Sequence, residues 1–192
     1  TDGAGISVWN RKTNTFRNYT HRENQPSSIS NNNITSIVRD DDDVIWVATF
    51  GGGINRYDRS SGSFTRFACM NNGQEDRNVW KLFKDSKNNI WAGTSFGSDA
   101  TYKFNRKTQR FEPFDSRFEY VTSFGEDNAG NVWLGTEYGQ LVRIDETSGK
   151  HRIYNLKNQI RSIVCDKEGN LWVGVQYTGL VKFDHNKNGK FS

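Results

Sequence analysis

Short runs of β-branched and aromatic residues recur along the chain, separated by polar turns that often contain glycine. Such runs predict β-strands, and no segment sustains the 3.6-residue period of an amphipathic helix. One stretch contains four of these runs, at residues 120–124, 132–136, 141–145 and 151–154. The pattern therefore predicts an all-β protein of short antiparallel strands joined by tight turns.

The pattern of strands repeats with a period near 40 residues. Tryptophan recurs with spacings of 45, 42 and 39 residues, at Trp46, Trp91, Trp133 and Trp172. Each has an Asp six residues before it and a small residue two residues after it, namely Asp40, Asp85, Asp127 and Asp166, and Ala48, Gly93, Gly135 and Gly174. A repeat of this length with four strands predicts the blades of a β-propeller. We expect the Trp to fill the space between twisted blades and the small residue to leave room for a neighbouring blade's ring.

The repeats divide the chain into a half blade and four further units. The boundaries are 1–19 for the half blade, 33–67, 78–114 and 120–154 for three blades, and 160–192 for an incomplete blade. Thr1 aligns with Thr49, Thr94 and Thr136, which follow the Trp-x-Gly or Trp-x-Ala triplet. We therefore expect a β-propeller fragment, about 4.5 four-stranded antiparallel blades of a larger, seven-bladed propeller. We also expect its open ends to favour a homodimer.

Composition and charge narrow the function classes. Lys and Arg exceed Asp and Glu by 26 to 22, a net charge of +4, and the charges are interleaved without a basic block, so nucleic acid is not indicated. The apolar runs are too short for a transmembrane helix. Cys69 and Cys165 lie far apart without a Cys/His cluster and favour neither zinc nor a disulfide. The acidic run 40–43 falls in a strand-joining turn rather than a calcium loop. We expect no metal and no cofactor.

The repeat resembles a known family, the two-component regulator propeller repeats. The residues that carry the resemblance are Asp127-Asn-Ala-Gly-Asn-Val-Trp133, Asp166-Lys-Glu-Gly-Asn-Leu-Trp172, Trp46-Val-Ala-Thr-Phe-Gly-Gly-Gly-Ile-Asn-Arg-Tyr-Asp58 and the connector Gln25-Pro-Ser-Ser-Ile-Ser-Asn-Asn-Asn-Ile34. The resemblance implies the periplasmic sensor region of a Bacteroidetes hybrid two-component histidine kinase. Such a region is expected to detect an oligosaccharide in the periplasm and to pass the signal across the inner membrane through segments outside this sequence.

Candidate binding residues lie in the loops at one end of the blades, where propellers usually bind ligands. An aromatic residue occurs in each loop between the second and third strands: Phe50, Phe96, Tyr138 and Tyr177. Such rings offer an apolar face to a sugar, although packing on the preceding Trp or on the adjacent Gly loop is the alternative reading. Residues that break the repeat are the second group, with solvated loop residues as their alternative: Arg77, Arg117, Glu119, Tyr120, Glu137, Gln159 and Gln176, together with Asn78 and Asn158.

No catalytic arrangement is evident. His21, His151 and His185 fall at different positions of the repeat, and we expect no enzymatic activity in this segment, whereas the full-length protein is expected to be a histidine kinase. One alternative is a propeller enzyme similar to streptogramin lyases, in which His21 and Glu23 would be the candidates. A further alternative is a protein-interaction scaffold.

Overall fold

The structure, a computed structural model, describes residues 3–95, 101–115, 117–118, 120–145, 148–184 and 190–191. This part of the chain is all-β, apart from one turn of 3-10 helix at Asp41–Asp43. It contains an opening hairpin, four sheets that we number blades 1 to 4, and an additional hairpin. Within the same residues, no helix is long and apolar enough to cross a membrane.

The strands follow one another in the order of the repeats. The opening hairpin is β1 (Ile6–Asn10) and β2 (Thr15–Tyr19), and blade 1 is β3 (Ile34–Arg39), β4 (Ile45–Thr49), β5 (Gly53–Asp58) and β6 (Ser63–Phe67). The additional hairpin is β7 (Cys69–Asn71) and β8 (Gln74–Asp76), and blade 2 is β9 (Val79–Lys84), β10 (Ile90–Thr94), β11 (Thr101–Asn105) and β12 (Arg110–Asp115). Blade 3 is β13 (Val121–Glu126), β14 (Val132–Thr136), β15 (Gln140–Ile144) and β16 (His151–Asn155), and blade 4 is β17 (Ile160–Cys165), β18 (Leu171–Val175), β19 (Gly179–Asp184) and β20 (Lys190–Phe191).

Each blade is an antiparallel meander in which neighbouring strands in the sequence are neighbours in the sheet. The first strands of successive blades contact one another, β3 with β9, β9 with β13 and β13 with β17. First strands that meet in this way lie on the inside of the arrangement, and the later strands extend outward. The sheets are thus successive blades of a β-propeller, which confirms the fold class expected from the repeat.

The repeated tryptophans join each blade to the next. Trp46 of blade 1 is 1% exposed, and its ring lies edge-on to Phe104 and Phe111 of blade 2, with centroids 4.7 and 5.5 Å away. Trp133 of blade 3 makes the same kind of contact, 5.1 Å from Phe183 of blade 4. The predicted role of the Trp as the filler between blades is therefore correct.

The small residue after the Trp makes room for an aliphatic side chain, not for the ring that we expected. A Cβ added to Gly135 would lie 2.4 Å from Cγ2 of Ile160, on the first strand of blade 4. A Cβ on Gly93 would lie 2.8 Å from the side chain of Val121, at the same place in blade 3. The reason is geometric, because the residue two positions after the Trp faces the inner strand of the next blade.

The spacing of six residues between Asp and Trp, repeated in all four blades, is explained by a hydrogen bond. In all four blades the indole Nε1 donates a hydrogen bond to the carboxylate six residues earlier, at 3.1 Å for Trp46, 2.8 Å for Trp91, 2.8 Å for Trp133 and 2.7 Å for Trp172. In blades 2 to 4 the same carboxylate also accepts backbone N–H groups of its own turn. The same Asp therefore has two roles: it closes the turn between the first and second strands, and it orients the indole of the Trp.

The sequence did not predict the hairpin β7–β8, because residues 68–77 fall between the predicted blades 33–67 and 78–114. Cys69 in β7 pairs with Phe111 in β12 in a parallel direction, so that the hairpin extends the outer edge of blade 2. Cys69 is completely buried there. The hairpin covers a strand edge that would otherwise present unpaired backbone groups.

Candidate ligand-binding face

One end of every blade is held together by the same backbone hydrogen bond. The residue that follows the second strand donates its N–H to the carbonyl of the connector that precedes the first strand: Phe50 to Asn33 at 2.9 Å, Ser95 to Asn78 at 2.9 Å, Glu137 to Tyr120 at 3.0 Å and Gln176 to Gln159 at 2.8 Å. We call this end, with its loops between second and third strands and its connectors, the connector face. The predicted site residues that the structure describes belong to it.

Two of the predicted aromatic residues are exposed on the connector face. Tyr138 is 61% exposed and lies edge-on to Tyr120, with ring centroids 5.3 Å apart. Tyr177 is 92% exposed. At these exposures neither ring packs on the Trp of its blade, so packing on the preceding Trp does not describe these two residues. Phe96 lies outside the described residues.

Phe50 occupies a different register from the two tyrosines. It donates the backbone bond that Glu137 and Gln176 donate in other blades, so Tyr138 and Tyr177 lie one residue further along. Its ring is half-buried and edge-on to Trp80 of blade 2, with centroids 6.4 Å apart. The sequence grouped these aromatics as equivalent because only the loop, and not the hydrogen-bonding register, was visible.

The two predicted arginines are each paired with a carboxylate two residues earlier. Arg77 donates to Glu75 at 2.8 and 2.6 Å, and Arg117 donates to Asp115 at 3.0 and 2.6 Å. The hydrogen bonds between Arg117 and Asp115 lower the pKa of the carboxyl and raise the pKa of the guanidinium. Both guanidiniums are largely exposed, so a ligand can reach them, but it must compete with these carboxylates.

The polar connector residues take mixed positions. Asn158 donates a side-chain hydrogen bond to Thr178 at 3.2 Å, and Asn78 forms an isolated bridge with Phe50. Gln159 and Gln176 are half-buried, whereas Glu137 is exposed. Glu119 lies outside the described residues. The face therefore brings together polar and aromatic groups from several blades.

Two residues on the same face were missed in the sequence analysis, Trp80 and Arg161. Each is the second residue of an inner strand, and each is exposed. Trp80 is one of six tryptophans, four of which belong to the repeat. Both residues differ from the threonine that blades 1 and 3 have at this position of the repeat. The search for residues that differ between copies covered the loops and connectors and did not include the inner strands.

The histidine and two of the carboxylates that the sequence raised for acid-base or metal chemistry have other partners. The Nδ1 atom of His21 lies 2.8 Å from the carbonyl of Ile29 and so stabilises the first connector. Asp41 lies 2.5 Å from Nζ of Lys84, and Asp43 lies 3.1 Å from a guanidinium nitrogen of Arg59. Among the described residues, His, Cys, Asp and Glu side chains form no group of three or more that could hold a metal ion.

The repeated blade and its Asp–Trp turn define the class, a β-propeller repeat protein. The two-component regulator propeller family matches the chain in four segments, at residues 28–51, 73–96, 116–138 and 156–177. Each segment covers a connector or the strand before it and continues to the loop after the second strand. The chain therefore contains repeats of the two-component regulator propeller family, as its residues indicated.

The chain is similar to several known proteins. Histidine kinase P4 of Formosa agariphila is 30% identical over 179 residues, which are 85% of this chain and 13% of that protein. The extracellular domain of a putative hybrid two component system from B. thetaiotaomicron superimposes with a TM-score of 0.81 at 23% identity, over 100% of this chain and 26% of that one. Virginiamycin B lyase from Staphylococcus aureus superimposes with a TM-score of 0.64 at 19% identity, over 88% of this chain and 56% of that one. The chain thus spans only a small part of the first two relatives.

Proposed function

We propose that this chain is part of the ligand-binding sensor propeller of a hybrid two-component histidine kinase. Its ligand is an oligosaccharide in the periplasm, and the signal passes across the inner membrane. The observation that carries this proposal is the fourfold match to the two-component regulator propeller family, together with the likeness to a histidine kinase at 30% identity. The description of the B. thetaiotaomicron relative as an extracellular domain supports the location.

The connector face supports ligand binding. Tyr138 and Tyr177 present exposed rings, and an exposed aromatic ring binds the apolar face of a sugar with little loss of side-chain entropy. Asn158, Gln159 and Gln176 add amide groups that pair with hydroxyls. The arrangement is a recognition surface, and it needs no nucleophile to act.

Signalling requires that the ligand bind one state of the receptor more tightly than the other. A ligand can shift the balance between two states only by the difference between its affinities for them. The blades contribute a rigid surface, because each is tied to the next by a buried Trp and by first strands in contact. The shift must then come from how this surface is arranged relative to the rest of the receptor.

A lyase is the second candidate, because the fold is similar to that of virginiamycin B lyase. The described residues favour it less. His21, the histidine that we expected in a lyase, is bound to the backbone of its own connector. Formation of a product from a streptogramin would favour the lyase.

The test is a thermal-shift screen of the chain against neutral and acidic oligosaccharides. At a ligand concentration 100 times the Kd, binding adds about 2.7 kcal/mol, which raises the Tm of a chain of this size by about 5–10 °C. The Tyr138→Ala and Tyr177→Ala variants should reduce the shift, and Phe16→Ala, which removes an exposed ring from the opening hairpin, should leave it unchanged. The absence of a shift with every saccharide would overturn the proposal.

A further inference from the structure

The inner strand of every blade contains a β-bulge at its second residue. The strand register skips one position between Ile34 and Ser36, between Val79 and Lys81, between Val121 and Ser123, and between Ile160 and Ser162. The skipped residues are Thr35, Trp80, Thr122 and Arg161. Bulges of this kind redirect a side chain and are frequent next to binding sites.

The four bulge residues alternate in role. Thr35 donates a hydrogen bond to the carbonyl of Val79 at 2.7 Å, and Thr122 donates to the carbonyl of Ile160 at 2.5 Å. Each threonine therefore holds the residue directly before the bulge of the next blade. The bulges held in this way are those of Trp80 and Arg161.

Trp80 is placed as a binding platform. Its side chain is 39% exposed, although the other tryptophans of blades 1 to 3 are buried. Phe50 of blade 1 supports it edge-on, which orients the ring and leaves part of it open to solvent. An oriented and partly exposed indole is suited to stacking on a flat apolar surface such as a sugar ring.

Arg161 supplies a positive charge at the same end of the inner strands. It is exposed, and it forms no ion pair within 4 Å with a carboxylate of the described residues. In this it differs from Arg77 and Arg117. An exposed guanidinium without a partner is suited to binding a carboxylate or a sulfate.

We propose that Trp80 and Arg161 form the two ends of one binding site for an acidic oligosaccharide, on the connector face at the bulges of the inner strands. The proposal rests on the proposed function and names its ligand class. Packed sheets lie about 10 Å apart, so residues two blades apart are separated by up to about 20 Å. An oligomer matches a span of this size, with one sugar ring stacked on Trp80 and one acidic group bound to Arg161.

The experiment measures the Kd of oligogalacturonate, oligomannuronate and a chondroitin oligosaccharide, each compared with its carboxyl-reduced form. We expect at least one acidic form to bind, about tenfold more tightly than its reduced form. Arg161→Gln should abolish this preference for the acidic form. Trp80→Ala should weaken the binding of both forms by about tenfold, and Trp80→Phe should recover part of the affinity. Arg110→Gln, an exposed arginine at the start of an outer strand, is the control for charge.

Glu137 provides a second test of the role of charge, because it is exposed in blade 3, next to the blade that contains Arg161. Glu137→Gln should tighten binding of the acidic form about twofold by removing a like charge. Equal binding of acidic and reduced forms, or binding that is indifferent to Arg161→Gln, would overturn this inference and leave the sensor function standing. No binding of any acidic or neutral saccharide would overturn both.

Discussion

The guanidinium of Arg106 in blade 2 forms two hydrogen bonds to the carboxylate of Asp40 in blade 1, with N–O distances of 3.0 and 2.7 Å. In blades 2 to 4 the equivalent Asp accepts a hydrogen bond from an Asn four residues later, as Asp127 does from Asn131. Blade 1 has Val44 at that place. The arginine of the neighbouring blade thus replaces an amide that the first copy of the repeat lacks.

This pair also determines the protonation of Asp40. Burial alone would raise the pKa of the Asp40 carboxyl, but the hydrogen bonds from Arg106 and Trp46 outweigh burial, and the pKa lies below its usual value. The carboxylate is therefore charged and almost completely buried, and Arg106 is its main cationic partner. The contact joins blades 1 and 2 electrostatically as well as by packing.

Arg106→Gln should lower the free energy of unfolding by roughly 1–3 kcal/mol, because it leaves a buried carboxylate without its guanidinium while Arg106 itself is half-exposed. Urea denaturation measures the change. Arg59→Gln is the matched control, since Arg59 lies at the same repeat position but forms an exposed pair with Asp43. The control substitution should lower the free energy of unfolding by less than about 1 kcal/mol. Equal losses in the two variants would contradict the special role of Arg106.

Gly135→Ala should destabilise the protein by roughly 1–3 kcal/mol, because the new methyl group would collide with Ile160 and separate blades 3 and 4. Gly174→Ala is the comparison at the same repeat position. Its methyl group would meet only the hydroxyl of Ser162, which can rotate away. Thermal unfolding should therefore show a clearly larger loss for Gly135→Ala, and a larger loss for Gly174→Ala would refute the packing argument.

Stability should decrease as the pH falls from about 4 to about 2. Hydrogen bonds from Ser60 and Ser61 lower the pKa of Asp58 to about 2, below the value of about 3.9 in an unfolded chain. A lowered pKa in the folded state adds stability that is complete above pH 3.9 and is lost as the pH falls through 2. In the Ser60→Ala, Ser61→Ala double variant, which removes the two hydroxyl donors and keeps the backbone N–H donors, an NMR titration should find the pKa of Asp58 raised part of the way toward its ordinary value. An unchanged pKa there would exclude these hydrogen bonds as the cause.

The two cysteines should react with a thiol reagent at different rates in the native protein. Burial raises the pKa of both thiols. Cys69, the first residue of β7, is completely buried where the hairpin β7–β8 packs on blade 2, whereas Cys165 is half-buried. Cys165 should be labelled first, and faster at higher pH, while Cys69 should be labelled only when the hairpin detaches or the protein unfolds. Mass spectrometry of Cys69→Ala and Cys165→Ala separates the two rates. Native labelling of Cys69 as fast as Cys165 would show that the hairpin is not docked.

The predictable part of the site was the location of its loops. The spacing between Trp46, Trp91, Trp133 and Trp172 placed the loops after the second strands, and Tyr138 and Tyr177 are indeed exposed there. Their use in binding stays a prediction. Phe50 was grouped with them because a difference of one residue in register cannot be recognised in a loop without its hydrogen bonds. Trp80 and Arg161 were overlooked because a bulge leaves no mark in the pattern of apolar residues.

The sequence by itself determined that this protein is an all-β propeller with a blade about every 40 residues. It could do so because the Asp–Trp turn, the four strands and the small residue are all local to one blade, and each blade contacts only its neighbours. The tertiary structure decided what lies between blades and at their ends. The bond between Arg106 and Asp40 joins residues 66 positions apart, the hairpin β7–β8 pairs with a strand that follows it much later, and the bulges direct Trp80 and Arg161 into solvent. Such features depend on how blades twist and pack against one another, and that packing is not encoded at any single repeat position.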